Sequence, residues 1–129
     1  MNLVDSSGWL EYLTDGPNAP FFEAPLSRAS ELIVPTICLY EVFKVALRER
    51  GEEAAIQAAG LMRQARVVPL SESIALTAAR FSLERKVPMA DSIIAATGAE
   101  FDATIWTQDP DFRDLPGVKF IAKDAQPRP

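Results

Sequence analysis

The sequence predicts an α/β fold, with a central parallel sheet of about five strands and helices on both faces of the sheet. Short apolar runs alternate with longer amphipathic segments along the whole chain, which is the order that strands and helices take in a parallel sheet. Capping residues, glycines and prolines separate the segments, as expected at element boundaries. With 129 residues, 48% of them hydrophobic, the chain is long enough for one domain with its own core.

The first half of the chain contains two predicted strands and four predicted helices. A strand over 3–4 ends at Asp5, and a helix begins directly afterwards at two serines. Pro25 limits or kinks the next helix, and Thr36 is the predicted N-cap of a long helix that Gly51 ends. The predicted helices are 6–13, 21–29, 37–50 and 52–64, and the second predicted strand is 32–34.

The second half adds three predicted strands and two predicted helices. One helix is predicted over 71–85, and Gly98 is predicted to end the other, over 89–97. The domain is expected to extend over 1–125, followed by an unstructured tail over 126–129. The predicted strands are 66–70, 103–107 and 118–121, with a loop over 108–113.

The composition restricts the chemistry to carboxylates. Histidine is absent, and cysteine occurs once, at Cys38. These counts exclude Ser-His-Asp and Cys-His catalysis, imidazole metal sites and cysteine-based metal clusters. Cys38 lies in an apolar run, which indicates a buried structural thiol. Acidic side chains therefore remain the main candidates for polar catalysis.

Acidic residues recur where predicted strands end and predicted helices begin. Asp5 follows the first strand, and Asp109 follows the fourth. Glu41 lies early in the helix after the second strand, and Asp91 lies in the first turn of the helix before the fourth. Ligands bind beyond the carboxyl ends of strands in such sheets. These acids therefore converge if the first and fourth strands are neighbours.

Each acid also has an ordinary structural explanation. Asp5 can cap a helix, and Asp91 can be favoured at a helix start by the helix dipole. Glu41 can be a solvated helix residue, while Asp109 and Asp111 can be turn residues beside a proline. The hypothesis of a functional site therefore depends on the combination of acids and not on any one of them.

A converging group of carboxylates predicts a cation site. Like charges at short range raise one another's pKa unless a cation lies among them. Oxygen ligands without histidine or thiolate favour Mg²⁺ or Mn²⁺ over zinc, and such ions can activate water for phosphodiester cleavage. Ser6 and Thr107 are candidates for orienting these carboxylates by hydrogen bonds, with capping and strand positions as their ordinary explanation.

The net charge of −5 would ordinarily disfavour a nucleic-acid partner. Without the five candidate acids, 13 acidic residues balance 13 lysines and arginines, so the charge neither supports nor excludes nucleic acid. No apolar run approaches the ~20 residues of a membrane span, and the N-terminus lacks the pattern of a secretory signal. We therefore expect a cytoplasmic protein without membrane contact. The five acids are Asp5, Glu41, Asp91, Asp109 and Asp111.

Four segments together resemble the PIN domain family. The third of them, in which proline, alanine and aspartate precede an isoleucine-rich helix, is the most specific. The small size and the order of the motifs are similar to those of VapC-type toxins of prokaryotic toxin–antitoxin modules, and the resemblance covers essentially the whole chain. The segments are Leu3-Val4-Asp5-Ser6-Ser7, Leu39-Tyr40-Glu41-Val42, Pro88-Met89-Ala90-Asp91-Ser92-Ile93-Ile94-Ala95 and Thr107-Gln108-Asp109-Pro110-Asp111-Phe112.

The resemblance implies a Mg²⁺- or Mn²⁺-dependent endoribonuclease that cleaves RNA phosphodiester bonds with a metal-activated water. It implies that Asp5, Asp91 and Asp109 are catalytic and hold the metal. Glu41, also catalytic by resemblance, would bind the ion through water or position the attacking water. Of the two loop acids, Asp109 is preferred over Asp111 as the ligand because it is nearer the strand end.

Binding of RNA phosphates requires basic residues, because the acids cannot bind phosphate themselves. Lys44 is the first candidate, since it lies one helical turn after Glu41. Arg85, Lys86 and Arg113 come next because they lie near the other acids. The resemblance further implies a homodimer and a small VapB-type antitoxin that covers the site.

Three alternatives compete with the nuclease. A receiver-type phosphoacceptor needs an acidic pair after the first strand and an aspartate after the third, and both are absent. A haloacid-dehalogenase-like phosphatase needs a second aspartate at position 7, where this chain has Ser7. A catalytically silent PIN-like binding or scaffold protein is the remaining alternative, and the presence of every acid of the pattern argues against it.

Overall fold

A computed structural model describes residues 1–123, so the tail predicted over 126–129 lies outside the described residues. Within 1–123, five parallel strands form one sheet, in agreement with the predicted α/β fold. The strands are β1 Asn2–Val4, β2 Leu32–Pro35, β3 Arg66–Val68, β4 Thr104–Thr107 and β5 Val118–Phe120. Their order across the sheet is β3-β2-β1-β4-β5.

Six α-helices and two short 3₁₀ helices connect the strands of the described segment. No helix in this part of the chain is both long and apolar enough to cross a membrane. The α-helices are α1 Ser6–Leu13, α2 Ala19–Leu26, α3 Thr36–Arg50, α4 Glu52–Met62, α5 Glu72–Arg85 and α6 Met89–Glu100. The 3₁₀ helices are Ala29–Glu31 and Pro110–Phe112.

Helices cover both faces of the sheet, as predicted. Leu3 and Val4 are consecutive in β1 and both are fully buried, although neighbouring residues of a strand point to opposite faces. α6 packs on the Leu3 face, where Gly98 lies close to Leu3. α1 and α2 pack on the Val4 face, where Gly8 lies close to Val4 and Phe22. The core therefore has two layers, one on each side of β1.

Two helix boundaries depend on prolines. The predicted N-cap Thr36 is instead the first residue of α3, and Pro35 occupies the cap position with φ −60° and ψ 141°. Because Pro35 is also the last residue of β2, the strand passes directly into the helix without a separate capping residue. α2 is Ala19–Leu26, so it begins and ends earlier than the predicted 21–29, and Pro25 lies inside its last turn.

Gly98 does not end a helix, contrary to the prediction. α6 continues through it to Glu100. The residue serves close packing instead, because a Cβ at Gly98 would lie 2.8 Å from Cδ1 of the buried Ile105. Absence of a side chain at this position allows α6 to approach the centre of the sheet.

We expect Gly98→Ala to destabilise the protein by about 1–3 kcal/mol, because the added methyl group overlaps a packed core side chain. Gly60 lies in α4 and has nothing within 4 Å of an added Cβ. Gly60→Ala should therefore stabilise the protein by about 0.5–1 kcal/mol through helix propensity alone. Urea unfolding of the two variants measures both effects, and equal effects would contradict the packing role of Gly98.

The centre of the sheet is a topological switch point. β1 and β4 are adjacent, with Val4 opposite Trp106, while β2 lies on the other side of β1. The chain therefore leaves β1 in one direction and continues from β4 in the other, which opens a crevice at their carboxyl ends. Asp5 directly follows β1, and the loop that contains Asp109 and Asp111 follows β4.

Candidate metal centre

Asp5 connects the first helix to the centre of the sheet. The residue is 2% exposed, and its Oδ1 accepts hydrogen bonds from the Gly8 N–H at 2.9 Å and the Ser7 hydroxyl at 2.8 Å. Its Oδ2 accepts a hydrogen bond from the Thr107 hydroxyl at 2.6 Å. Asp5 is therefore both the N-cap of α1 and the buried acid at the switch point.

Three further carboxylates meet beside it. Asp91, Asp109 and Asp111 each offer one carboxylate oxygen, and these oxygens lie within 4.8 Å of one another. Asp91 comes from the first turn of α6, while Asp109 and Asp111 come from the loop after β4. The geometry therefore does not separate Asp109 from Asp111, although the sequence favours Asp109.

Thr107 and Asp109 organise the loop that follows β4. The Thr107 hydroxyl donates to Asp5 and accepts a hydrogen bond from the Asp109 N–H at 2.9 Å. Oδ1 of Asp109 in turn accepts a hydrogen bond from the Asp111 N–H at 2.9 Å. One hydroxyl thus connects the buried acid of β1 to the loop that carries the other two acids.

Burial and mutual repulsion make two of these carboxyls hard to ionise. Burial raises the pKa of Asp5 from 3.8 to about 6 against the opposing effect of its hydrogen bonds, with a further contribution from the charge of Asp109. Burial raises the pKa of Asp91 from 3.8 to about 7, and the charges of Asp109 and Asp111 add to the effect. The surrounding protein therefore does not fully compensate the negative charge of these four acids.

Glu41 approaches the same region from α3. The Ser6 hydroxyl donates to Oε1 of Glu41 at 2.6 Å. Cys38, in the same helix, is fully buried as predicted. Burial raises the pKa of its thiol, with smaller contributions from the charges of Asp5 and Glu41. Among residues 1–123, the close group of three oxygens does not include Asp5 or Glu41; they are linked to the region through Thr107 and Ser6.

The four predicted RNA-binding residues are all exposed. Lys44 lies over the Tyr40 ring at 5.6 Å from its centroid, and Arg113 lies over the Phe120 ring at 5.2 Å. Within the described residues the sole ion pair joins Arg48 to its neighbour in the chain, so none of the four cations is paired with a carboxylate of residues 1–123. They are Lys44, Arg85, Lys86 and Arg113.

The sequence reasoning missed a buried polar network beside the acids. Gln108 is 4% exposed and Asn18 is 5% exposed, and the Asn18 side-chain amide donates to Oε1 of Gln108 at 2.9 Å. Oε1 of Glu11 accepts a hydrogen bond from the Gln108 amide at 3.2 Å. The available signal was an amide residue directly between Thr107 and Asp109, at the end of a buried strand.

Fold and site together define a class of protein: a single-domain parallel α/β protein with a carboxylate cluster at the switch point of its sheet. Residues 3–118 match the model of the PIN domain. The chain therefore belongs to the PIN domain family, which confirms the family that the four motifs indicate.

Solved structures share this fold. A toxin–antitoxin complex from Klebsiella pneumoniae is 22% identical with a TM-score of 0.77, over 92% of this chain and 96% of that chain. The sarcin–ricin-loop-cleaving toxin VapC20 from Mycobacterium tuberculosis is 18% identical with a TM-score of 0.76, over 90% of this chain and 95% of that chain. VapBC2 from Rickettsia felis, bound to promoter DNA, is 15% identical with a TM-score of 0.72, over 95% of this chain and 98% of that chain. No curated protein sequence matches the chain.

Proposed function

We propose that this protein is a Mg²⁺- or Mn²⁺-dependent endoribonuclease that acts as the toxin of a VapBC-type toxin–antitoxin system. The observation that carries the proposal is the convergence of the Asp91, Asp109 and Asp111 carboxylate oxygens within 4.8 Å at the switch point of a PIN fold. The sarcin–ricin-loop-cleaving activity named for one structural neighbour supports RNA as the substrate.

The donor set fits a hard divalent cation. The site offers carboxylate oxygens and contains neither histidine nor an accessible thiol, which suits Mg²⁺ or Mn²⁺ better than zinc. Clustered carboxylates raise one another's pKa unless a cation lies among them, and the raised pKa of Asp91, about 7, fits a site that takes a cation. Asp91, Asp109 and Asp5 would hold the ion, with Asp111 as a further ligand.

The residues around the acids have separate roles in the proposed reaction. A bound Mg²⁺ or Mn²⁺ supplies Lewis-acid stabilisation of phosphoryl charge and lowers the pKa of water. Glu41, oriented through its hydrogen bond with Ser6, positions the attacking water. Thr107 holds the Asp5 carboxylate and the Asp109 main chain in one arrangement. Lys44, with the other exposed cations around the site, binds the phosphates on either side of the scissile bond.

The proposed partners follow from the same assignment. Several structures of this fold are named as complexes of a toxin with an antitoxin, among them those from Klebsiella pneumoniae and Rickettsia felis. We therefore propose that a VapB-type antitoxin inhibits this protein by covering its acids. The active form is proposed to be a cytoplasmic homodimer.

Cleavage of a mixed RNA panel tests the proposal. Folded protein freed of any antitoxin should cut RNA when Mg²⁺ or Mn²⁺ is added, and EDTA should stop the reaction. Asp91→Asn purified in parallel controls for contaminating ribonuclease, because a contaminant would cut equally in both preparations. Failure to cut any RNA, together with no Mn²⁺-induced thermal stabilisation, would instead favour a PIN-like binding protein without catalysis.

A further inference from the structure

We propose that Gln108 is a positioning residue: its buried amide fixes the loop that carries Asp109 and Asp111 onto α1, so that the two loop acids stay in register with Asp91. The inference rests on the proposed function for its consequence in metal binding.

The Gln108 amide uses both of its functional groups in the interior. Its Nε2 donates to Oε1 of Glu11 at 3.2 Å and, more weakly, to the Ser7 carbonyl at 3.4 Å. Its Oε1 accepts a hydrogen bond from the Asn18 side chain at 2.9 Å. A buried amide with donors and acceptor all engaged holds a single orientation, because any rotation leaves polar groups unsatisfied.

The partners of Gln108 are themselves held in place. Oε2 of Glu11 accepts a hydrogen bond from the Asn18 N–H at 2.7 Å, which closes a ring of three residues around the amide. The Asn18 side chain also donates to the Ala122 carbonyl at 3.2 Å. The ring therefore ties the loop after β4 to α1, to the segment before α2 and to the chain after β5.

This ring is coupled to the acids by short covalent and hydrogen-bonded links. Gln108 is directly followed by Asp109 and directly preceded by Thr107, whose hydroxyl contacts both Asp5 and the Asp109 N–H. Ser7 is shared, since its carbonyl accepts from Gln108 while its hydroxyl donates to Asp5. Because the clustered carboxylates repel one another, a loop released at Gln108 is expected to move its acids apart.

Gln108→Met keeps the size of the side chain and removes its hydrogen bonds. We expect the Kd for Mn²⁺, measured by calorimetry on metal-free protein, to rise about tenfold, at the lower end of the range for residues that orient metal ligands. In the absence of metal, the amide hydrogens of Asp109 and Phe112 should exchange about tenfold faster. Gln57→Met, the same substitution at an exposed position of α4, should change neither measurement.

A rescue variant separates positioning from general destabilisation. Gln108→Glu should weaken Mn²⁺ binding as Gln108→Met does, because it places a carboxylate against Glu11. Addition of Glu11→Gln reverses donor and acceptor within the ring and should bring the Kd back towards the wild-type value. Ile74→Val, a conservative change in the core on α5, should lower the unfolding midpoint while leaving the Mn²⁺ affinity unchanged.

The outcomes distinguish failure of the positioning role of Gln108 from failure of the proposed nuclease activity. A Gln108→Met protein with a lower unfolding midpoint but wild-type Mn²⁺ affinity and loop exchange would show a merely structural residue and overturn the positioning role. If the wild-type protein itself neither binds Mn²⁺ nor cuts RNA, the proposed nuclease fails. Faster loop exchange in Gln108→Met would in that case still support the fixing of the loop.

Discussion

Asp91→Asn is expected to abolish Mn²⁺ binding and RNA cleavage, with a loss of more than about 100-fold in each, because loss of a direct ligand exceeds the usual effect of losing an outer-shell partner. The substitution retains the size of the side chain but removes one of the three converging negative charges. Calorimetric titration with Mn²⁺ and single-turnover cleavage of a short RNA measure the two losses separately.

The same substitution should stabilise the metal-free protein. The pKa of Asp91 is raised to about 7, so its ionised form is disfavoured in the folded state, and removal of the charge relieves that penalty above pH 7. Asp114→Asn, at an exposed acid just beyond the loop, is a matched control that should change neither activity nor stability. If Asp91→Asn cleaves RNA at the wild-type rate, this cluster is not the catalytic centre.

Asp5 and Asp91 are expected to lower the stability of the metal-free protein progressively as the pH rises from about 4 to about 7. The folded-state pKa values of Asp5 and Asp91 are raised from 3.8 to about 6 and about 7. Between these limits the folded state retains protons that the unfolded state has released, so the contribution of these two acids to stability is greatest below pH 4 and falls until both are ionised. For Asp5 alone, the rise in pKa corresponds to a loss of about 3 kcal/mol in the free energy of unfolding once the acid is ionised.

Urea unfolding across this pH range, with and without Mn²⁺, measures the effect. The difference between wild type and the double variant Asp5→Asn/Asp91→Asn removes the contribution of the other carboxyls. Saturating Mn²⁺ should remove the fall of wild-type stability with rising pH, because the cation favours the ionised acids and stabilises the folded protein that binds it. If the difference in unfolding free energy between wild type and the double variant does not vary with pH, the pKa values of these acids are not raised in the metal-free protein.

The order of strands and helices depends mainly on local sequence patterns and could therefore be predicted from the sequence. Each strand is a short apolar run, and each helix has its own periodicity and end signals, so the order of elements follows from neighbouring residues. The errors fall where neighbours are not decisive. Gly98 resembles a helix terminator along the chain, but its contact with Ile105 shows that it allows close packing. Pro35 replaces Thr36 at the cap because the strand leads directly into α3.

The acids could be named from the sequence, because their positions after strands and at helix starts are also local features. Which of them meet is a tertiary property. Asp5 lies beside the loop acids because β4 is adjacent to β1, and Asp91 meets Asp109 because α6 packs on β4. No local pattern specifies either arrangement. In the folded protein Asp111 joins Asp91 and Asp109 in one close group. Glu41 lies outside this group and is hydrogen-bonded to Ser6.

The buried network around Gln108 shows the same division most clearly. Gln108 bonds to Asn18 and to Glu11, which are 90 and 97 positions away in the chain. Nothing within a local window marks these residues as partners, since a glutamine near a strand end is ordinarily solvated. The sequence by itself determined the α/β class, the element order and the set of candidate acids, because periodicity and capping act between near neighbours. Only the tertiary structure decided which side chains meet, because burial and hydrogen bonding between distant segments depend on the strand order of the folded sheet.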